Sequence, residues 1–178
     1  MQFSDQLKIP KDRVAVLIGE KGQIKKEIES STNTKLKINS VEGDVIIYGD
    51  DGLKILIAKN IIIAIARGFN PKIALNLLNE VNSIEVVDIK ELLRNKTKNS
   101  LIRVRSRLIG REGKARKLME KLTKTDISIC GKTVSIIGNN ENVDIAKRAV
   151  VNLIRGSKHG NVYSFIEKQK KNLKYSYV

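Results

Sequence analysis

LIGEKGQIKKEI, residues 17–28, returns as LIGREGKARKLM at residues 108–119. Both stretches set Gly-x-x-Gly between an apolar segment and a basic run. Three further landmarks repeat in the same order: IIYG at 46–49 and SIIG at 135–138, IAK at 57–59 and 145–147, IARG at 65–68 and LIRG at 153–156. The offset drifts from 91 to 88, so the first copy holds three extra residues. Chance rarely preserves four ordered landmarks, and a repeat of this kind organises the fold.

Working outward, each copy has one rhythm. In the first, Leu7–Ile9 reads as a strand stopped by Pro10, and Asp12 is expected to cap a short helix to Ile18. A second helix is expected over 23–31, with Ile24 and Ile28 one turn apart. Lys35–Ile38 alternates as a strand with one wet face, Gly43 turns the chain, and Val45–Tyr48 is another strand. A long helix over 53–67 is expected to present Leu53, Leu56, Ile57, Asn60, Ile61, Ala64 and Ile65. The second copy follows: a strand over 84–88, a short helix over 100–109, and a helix placing Ala115, Leu118, Met119 and Leu122 on one face. A hairpin over 126–137 turns at Gly131-Lys132, and a helix over 143–154 closes the copy. Two segments lie outside the repeat. Residues 71–82 read as a linker helix begun by Pro71 and packing Ile73, Leu77 and Val81. Residues 163–173 read as a basic C-terminal helix, and this end of the chain carries Tyr163, Phe165, Tyr175 and Tyr177. The fold expected is α+β, with two similar domains at 1–82 and 83–178, each a three-stranded antiparallel sheet against three helices.

Charge separates the copies. The chain has 178 residues and a net charge of +15. Residues 1–83 hold 12 Lys/Arg against 10 Asp/Glu, whereas residues 84–178 hold 22 against 9. Such a surplus points to a polyanion, nucleic acid before an acidic membrane surface. The longest apolar run, Ile61–Ala66, is too short to span a membrane, and no membrane partner is expected. The single cysteine, Cys130, excludes an internal disulfide and fits a cytoplasmic location; it is expected in the core. The lone His159 has no second histidine or carboxylate cluster to make a metal site, so a cap or surface contact is expected. No paired carboxylates suit a hydrolase. A non-enzymatic protein with no cofactor and no metal is expected.

Two glycines bracketing two residues let a backbone approach a ligand with no Cβ in the way. The following helix N-terminus favours an anion. Neither loop is a phosphate-binding P-loop, which needs four residues between its glycines and then Gly-Lys-Ser/Thr. With their flanking helices, the two loops resemble the core of the KH RNA-binding module. The order of strands and helices after the loop is similar to the eukaryotic-type (type I) KH topology. That resemblance implies a groove clamping about four nucleotides of single-stranded RNA, with the loop on the backbone and an apolar floor under the bases. Many KH motifs carry an apolar residue three places after the second glycine. Here Lys25 and Arg116 stand there, with Ile24 and Ala115 beside them, so the local floor is expected to differ.

The RNA-binding residues expected from the second copy are Arg103, Arg105, Arg107, Ile109, Gly110, Arg111, Glu112, Gly113, Lys114, Arg116 and Lys117. Seven basic residues within 103–117 meet only Glu112. From the first copy they are Gly19, Glu20, Lys21, Gly22 and Lys25, where opposed charges cancel. The tandem spacing, GREGKARKLMEKLTKTDISICGKTVSIIG and the ending GSKHGNVYSFIEKQKK resemble the archaeal and eukaryotic partner-of-Nob family of small-ribosomal-subunit assembly factors. The resemblance implies binding to the 3′-end region of small-subunit rRNA. It also implies partnership with the Nob-type endonuclease and contact with the α subunit of initiation factor two. The alternative is a KH scaffold acting mainly through protein–protein contacts, for example in translation initiation or RNA degradation complexes.

Overall fold

Pro10 has no N–H for a strand ladder, and the first strand ends just before it. The computed structural model describes residues 3–94 and 96–175; Tyr177 lies outside them. Strand β1 is Phe3–Lys8, and Pro10 takes the cap position of helix α1, Lys11–Ile18. Asp12 therefore sits inside the first turn rather than capping it. Its carboxylate still complements the positive end of the helix.

After the first Gly-x-x-Gly turn come α2 (Gln23–Thr32), β2 (Lys35–Ile38), β3 (Asp44–Gly49) and α3 (Gly52–Ala66). Asp51 caps α3 by accepting from the Leu53 N–H. The buried side of α3 is Ile55, Ala58, Ile61, Ile62, Ala64, Ile65 and Ala66. Leu53 and Leu56, expected on that side, are 57% and 51% exposed. The helix is apolar nearly all round, so its pattern has no stripe from which to pick the inner face.

The linker departs further. Instead of one helix over 71–82 there is a single turn, α4 (Pro71–Ala74), then a 3-10 turn (Leu75–Leu78) and an immediate return to strand. Leu77 is buried, Ile73 is half-buried and Val81 is exposed. Asn79 accepts at its side chain from the Val81 N–H, a local bond that competes with helix continuation.

The second copy begins with β4 (Asn82–Asp88) and one helical turn, α5 (Ile89–Leu92), that has no repeat counterpart. Then follow α6 (Lys98–Ile109), α7 (Lys114–Thr123), β5 (Asp126–Cys130), β6 (Thr133–Asn139), α8 (Asn140–Ile154) and α9 (His159–Tyr175). The chain divides into two compact units meeting at Asn82 and Ser83. Each unit is a three-stranded antiparallel sheet, ordered β1-β3-β2 in one and β4-β6-β5 in the other, packed against its own helices. The second core gathers Val104, Leu108, Met119, Ile127, Val134, Ile136, Val150 and Leu153, closed by Val162 and Ile166 of α9. Full burial of each such side chain contributes about 1.5–3 kcal/mol. Cys130 is half-buried rather than interior, and Leu118 is 37% exposed.

The copies repeat down to single hydrogen bonds. Thr32 and Thr34 share a buried hydroxyl pair at 2.7 Å, as do Thr123 and Thr125. Glu29 accepts from the Leu36 N–H at 2.7 Å, and Glu120 from the Ile127 N–H at 2.9 Å. Each carboxylate ties the loop-following helix to the next strand and so fixes the angle at which the loop is held.

Candidate nucleic-acid interface

In both copies the first glycine of the loop ends one helix, the second starts the next, and they do different work. Gly110 has φ +73, and a Cβ there would lie 2.7 Å from the Ala115 Cβ and 2.8 Å from its backbone nitrogen. Gly19 is equally closed in, 2.5 Å from Ile24 Cγ1. These glycines let the two helices meet. Gly113, at φ +75, needs glycine for its backbone angle, but the space beside it is open: only Lys117 Cε comes near, at 3.9 Å. Gly22 likewise has nothing within 4 Å. The residue before each second glycine is also left-handed, Lys21 at φ +51 and Glu112 at φ +54. Such a conformation costs a non-glycine residue about 1–3 kcal/mol. Strain is thus held in a turn whose outer surface is free for a ligand backbone.

Around the second loop, Arg111, Lys114 and Lys117 are exposed, as is Glu112, whose carboxylate lies 4.0 Å from the Lys114 ammonium; Arg103 is exposed about two turns back along α6 and does not stand at the loop. An exposed pair of that length adds little and leaves the lysine available. Ile109 and Arg105 are half-buried on α6. The Nε atoms of Arg105 and Arg116 are both buried without a hydrogen-bond partner among the described residues. Arg116 is half-buried with its Nε 3.9 Å from Glu120, repeating the 3.9 Å pair of Lys25 with Glu29 in the first copy. Both basic residues are therefore held over the carboxylate that anchors the next strand. Around the first loop Glu20 and Lys21 are exposed side by side.

Arg107 departs from the phosphate role expected of it. Its guanidinium donates to the carbonyls of Leu153 at 3.2 Å and Ser157 at 2.7 Å, finishing the C-terminus of α8. In the first copy Arg13 donates to Ile65 and Phe69, the repeat equivalents of those carbonyls, at 2.8 and 2.9 Å. The two arginines stand at different repeat positions, so alignment of the copies conceals the shared task. His159 donates from Nε2 to the Arg107 carbonyl at 2.9 Å and so joins α9 to the same corner. Tyr163 is half-buried, its ring 6.1 Å from that of His159, and Phe165 lies under the Arg148 guanidinium at 5.1 Å. These aromatics pack on their own domain. Among the described residues no cluster of three or more His, Cys, Asp or Glu could hold a metal, and no helix is long and apolar enough to cross a membrane.

Two Gly-x-x-Gly turns, each between helices beside a three-stranded sheet with a further helix after the strands, define a tandem KH protein of the eukaryotic type. A family model described as the eukaryotic-type KH domain (KH-domain type I) matches residues 83–171, and a KH-domain model matches 4–64. The chain is 46% identical over 172 residues to a KH domain-containing protein of Methanocaldococcus jannaschii, covering 94% of this chain and 74% of that one. It is 34% identical to a pre-rRNA-processing protein, PNO1, of Chaetomium thermophilum, over 57% of this chain and only 39% of that longer protein. In a crystal structure of an initiation factor two α–Dim2p–rRNA complex from Pyrococcus horikoshii, the matching chain superposes with a TM-score of 0.89 at 44% identity, over 96% of each chain. The chain belongs to the PNO1/Dim2 family of KH-domain ribosome assembly factors, which are non-enzymatic.

Proposed function

We propose that this protein binds single-stranded RNA from the 3′-end region of small-subunit rRNA, as a cytoplasmic ribosome assembly and rRNA-processing factor, with its second KH domain as the main clamp. The observation that carries this reading is the open, left-handed turn at 110–113 with Arg111, Lys114 and Lys117 exposed around it. The strand's backbone passes over Gly113, where no Cβ intervenes. Arg111, Lys114 and Lys117 meet its phosphates, and Arg105 adds its charge from the preceding helix. Ile109 contributes to the apolar floor. Arg116 stays paired with Glu120 and acts through the set of α7. The rRNA present in the Pyrococcus complex supports RNA as the ligand, and its initiation factor supports contact with that α subunit. Partnership with a Nob-type endonuclease rests on the family resemblance.

In the first domain, Glu20 beside Lys21 and the exposed Leu53 and Leu56 favour a role in protein contact, with RNA held weakly by Gly19, Gly22 and Lys25. The test is crosslinking with sequencing in cells, comparing the native chain with Gly113→Asp. Crosslinks should concentrate at the 3′ end of small-subunit rRNA and fall in the variant. An unchanged map in the variant overturns the clamp, and crosslinks spread evenly over rRNA overturn the 3′-end assignment.

A further inference from the structure

A cavity of about 330 Å³ opens in the second domain away from the Gly-x-x-Gly turn, where α5 and the start of α6 meet the end of α8. Leu92, Leu93, Val104 and Ile154 form an apolar floor, and Arg94, Arg103 and Arg155 stand on its rim. All three arginines are exposed, and none of their guanidinium groups makes a hydrogen bond or ion pair among the described residues. Three like charges converging on an apolar hollow gain nothing from one another. They repel, and nothing in the fold requires them there.

We infer that this cavity is a second RNA subsite, taking one base of the strand held by the clamp and the phosphates on either side of it. The planar guanidinium both forks a phosphate and stacks on a base, a combination that suits a nucleotide better than a bare anion. The volume lies at the lower end of the roughly 300–1,000 Å³ of ligand sites. Gly110 caps the C-terminus of the helix that carries Arg103, seven residues and so about 10 Å further along its axis. Stacked nucleotides advance about 3.4 Å each, so a strand leaving the turn reaches the rim within a few nucleotides. Among the described residues the first domain lacks this arrangement of groups. Asp12 occupies the repeat position of Arg103, and no counterpart of α5 precedes α1.

This inference rests on the second domain being the clamp, and the experiment separates the two. The full chain, its Arg94→Ala/Arg155→Ala variant and its Gly113→Asp variant are titrated with a labelled tetranucleotide and with a twelve-nucleotide single strand of the rRNA 3′ end, over a range of salt. The arginine variant should bind the tetranucleotide as the native chain does. It should bind the longer strand roughly tenfold more weakly, with a salt slope smaller by about 1.4, two phosphate contacts at about 0.7 each. Arg94→Lys/Arg155→Lys should restore the salt slope but only part of the affinity, because an ammonium neither forks nor stacks. Equal affinity and slope for the longer strand in native chain and arginine variant overturn the subsite, as does a variant that keeps all RNA binding and loses only an acidic protein partner. Failure of Gly113→Asp to weaken the tetranucleotide overturns the clamp instead.

Discussion

The two KH domains share a backbone and differ in charge. Their turns have matching left-handed residues, their strands are tied by Glu29 and Glu120 in the same way, and their closing helices are finished by an arginine each. Yet Lys25, Lys26, Glu27 and Glu29 balance one another after the first turn, where the second has Lys114, Arg116 and Lys117 against Glu120 alone. The fold is thus maintained by buried apolar surface and internal hydrogen bonds. Affinity for a polyanion is set separately, by exposed side chains that the fold does not need.

The strongest way to test that separation is to strike the two glycines of one turn. Gly110→Val forces a side chain into Ala115 at a left-handed position, and should destabilise the second domain by about 3 kcal/mol or more. Calorimetry should show its transition falling while the first domain's is unmoved. Gly113→Asp has open space and should cost about 1 kcal/mol from its backbone angle, yet lower RNA affinity at least tenfold through a carboxylate facing phosphate. Gly22→Asp should lower it by less than about threefold in a filter-binding assay, since little charge surrounds the first turn. Equal losses from the two aspartates would remove the ranking of the domains.

Arg107→Ala should cost about 2 kcal/mol by releasing two charged hydrogen bonds to α8 carbonyls, and Arg13→Ala about as much in the first domain. Neither should change the salt dependence of RNA binding. A flatter salt slope in Arg107→Ala would return that residue to the phosphate contacts.

The smallest effects concern pH, and they run in opposite directions. The Lys59 ammonium bonded to Asp5 holds that carboxyl below its ordinary value. The pair's contribution, under about 1 kcal/mol at so exposed a site, is present above the ordinary carboxylate range and is lost as pH falls through the lowered value. In the second domain burial pushes Asp126 upward, so its ionisation weakens the fold as pH rises above about 4. Asp126→Asn should raise the second domain's melting temperature slightly at neutral pH and lose that advantage in acid. Asp5→Asn should lower the first domain's at neutral pH.

Several of these features were open to sequence reading. Gly-x-x-Gly twice, in one element order, placed both turns and their helices, because glycine and apolar spacing act locally. The helix over 71–82 failed because Asn79 offers the backbone a local bond, and only the following strand shows which option wins. The inner face of α3 was hidden by a surfeit of apolar residues. Arg107 was misjudged for another reason: its carbonyl partners lie 46 and 50 residues away. A run of arginines looks alike in sequence whichever members turn inward.

The sequence by itself determined two repeated α+β domains, each with a Gly-x-x-Gly turn, and the excess of positive charge in the second, since periodicity, turn chemistry and charge count all reside in neighbouring residues. Only the tertiary structure decided which charges are free. Arg107 and Arg116 are engaged within the domain, Arg111, Lys114 and Lys117 stand open at the turn, and Arg94, Arg103 and Arg155 converge from three separate stretches of the chain on one cavity. A side chain's electrostatic task depends on what folds against it, and those neighbours come from distant parts of the chain.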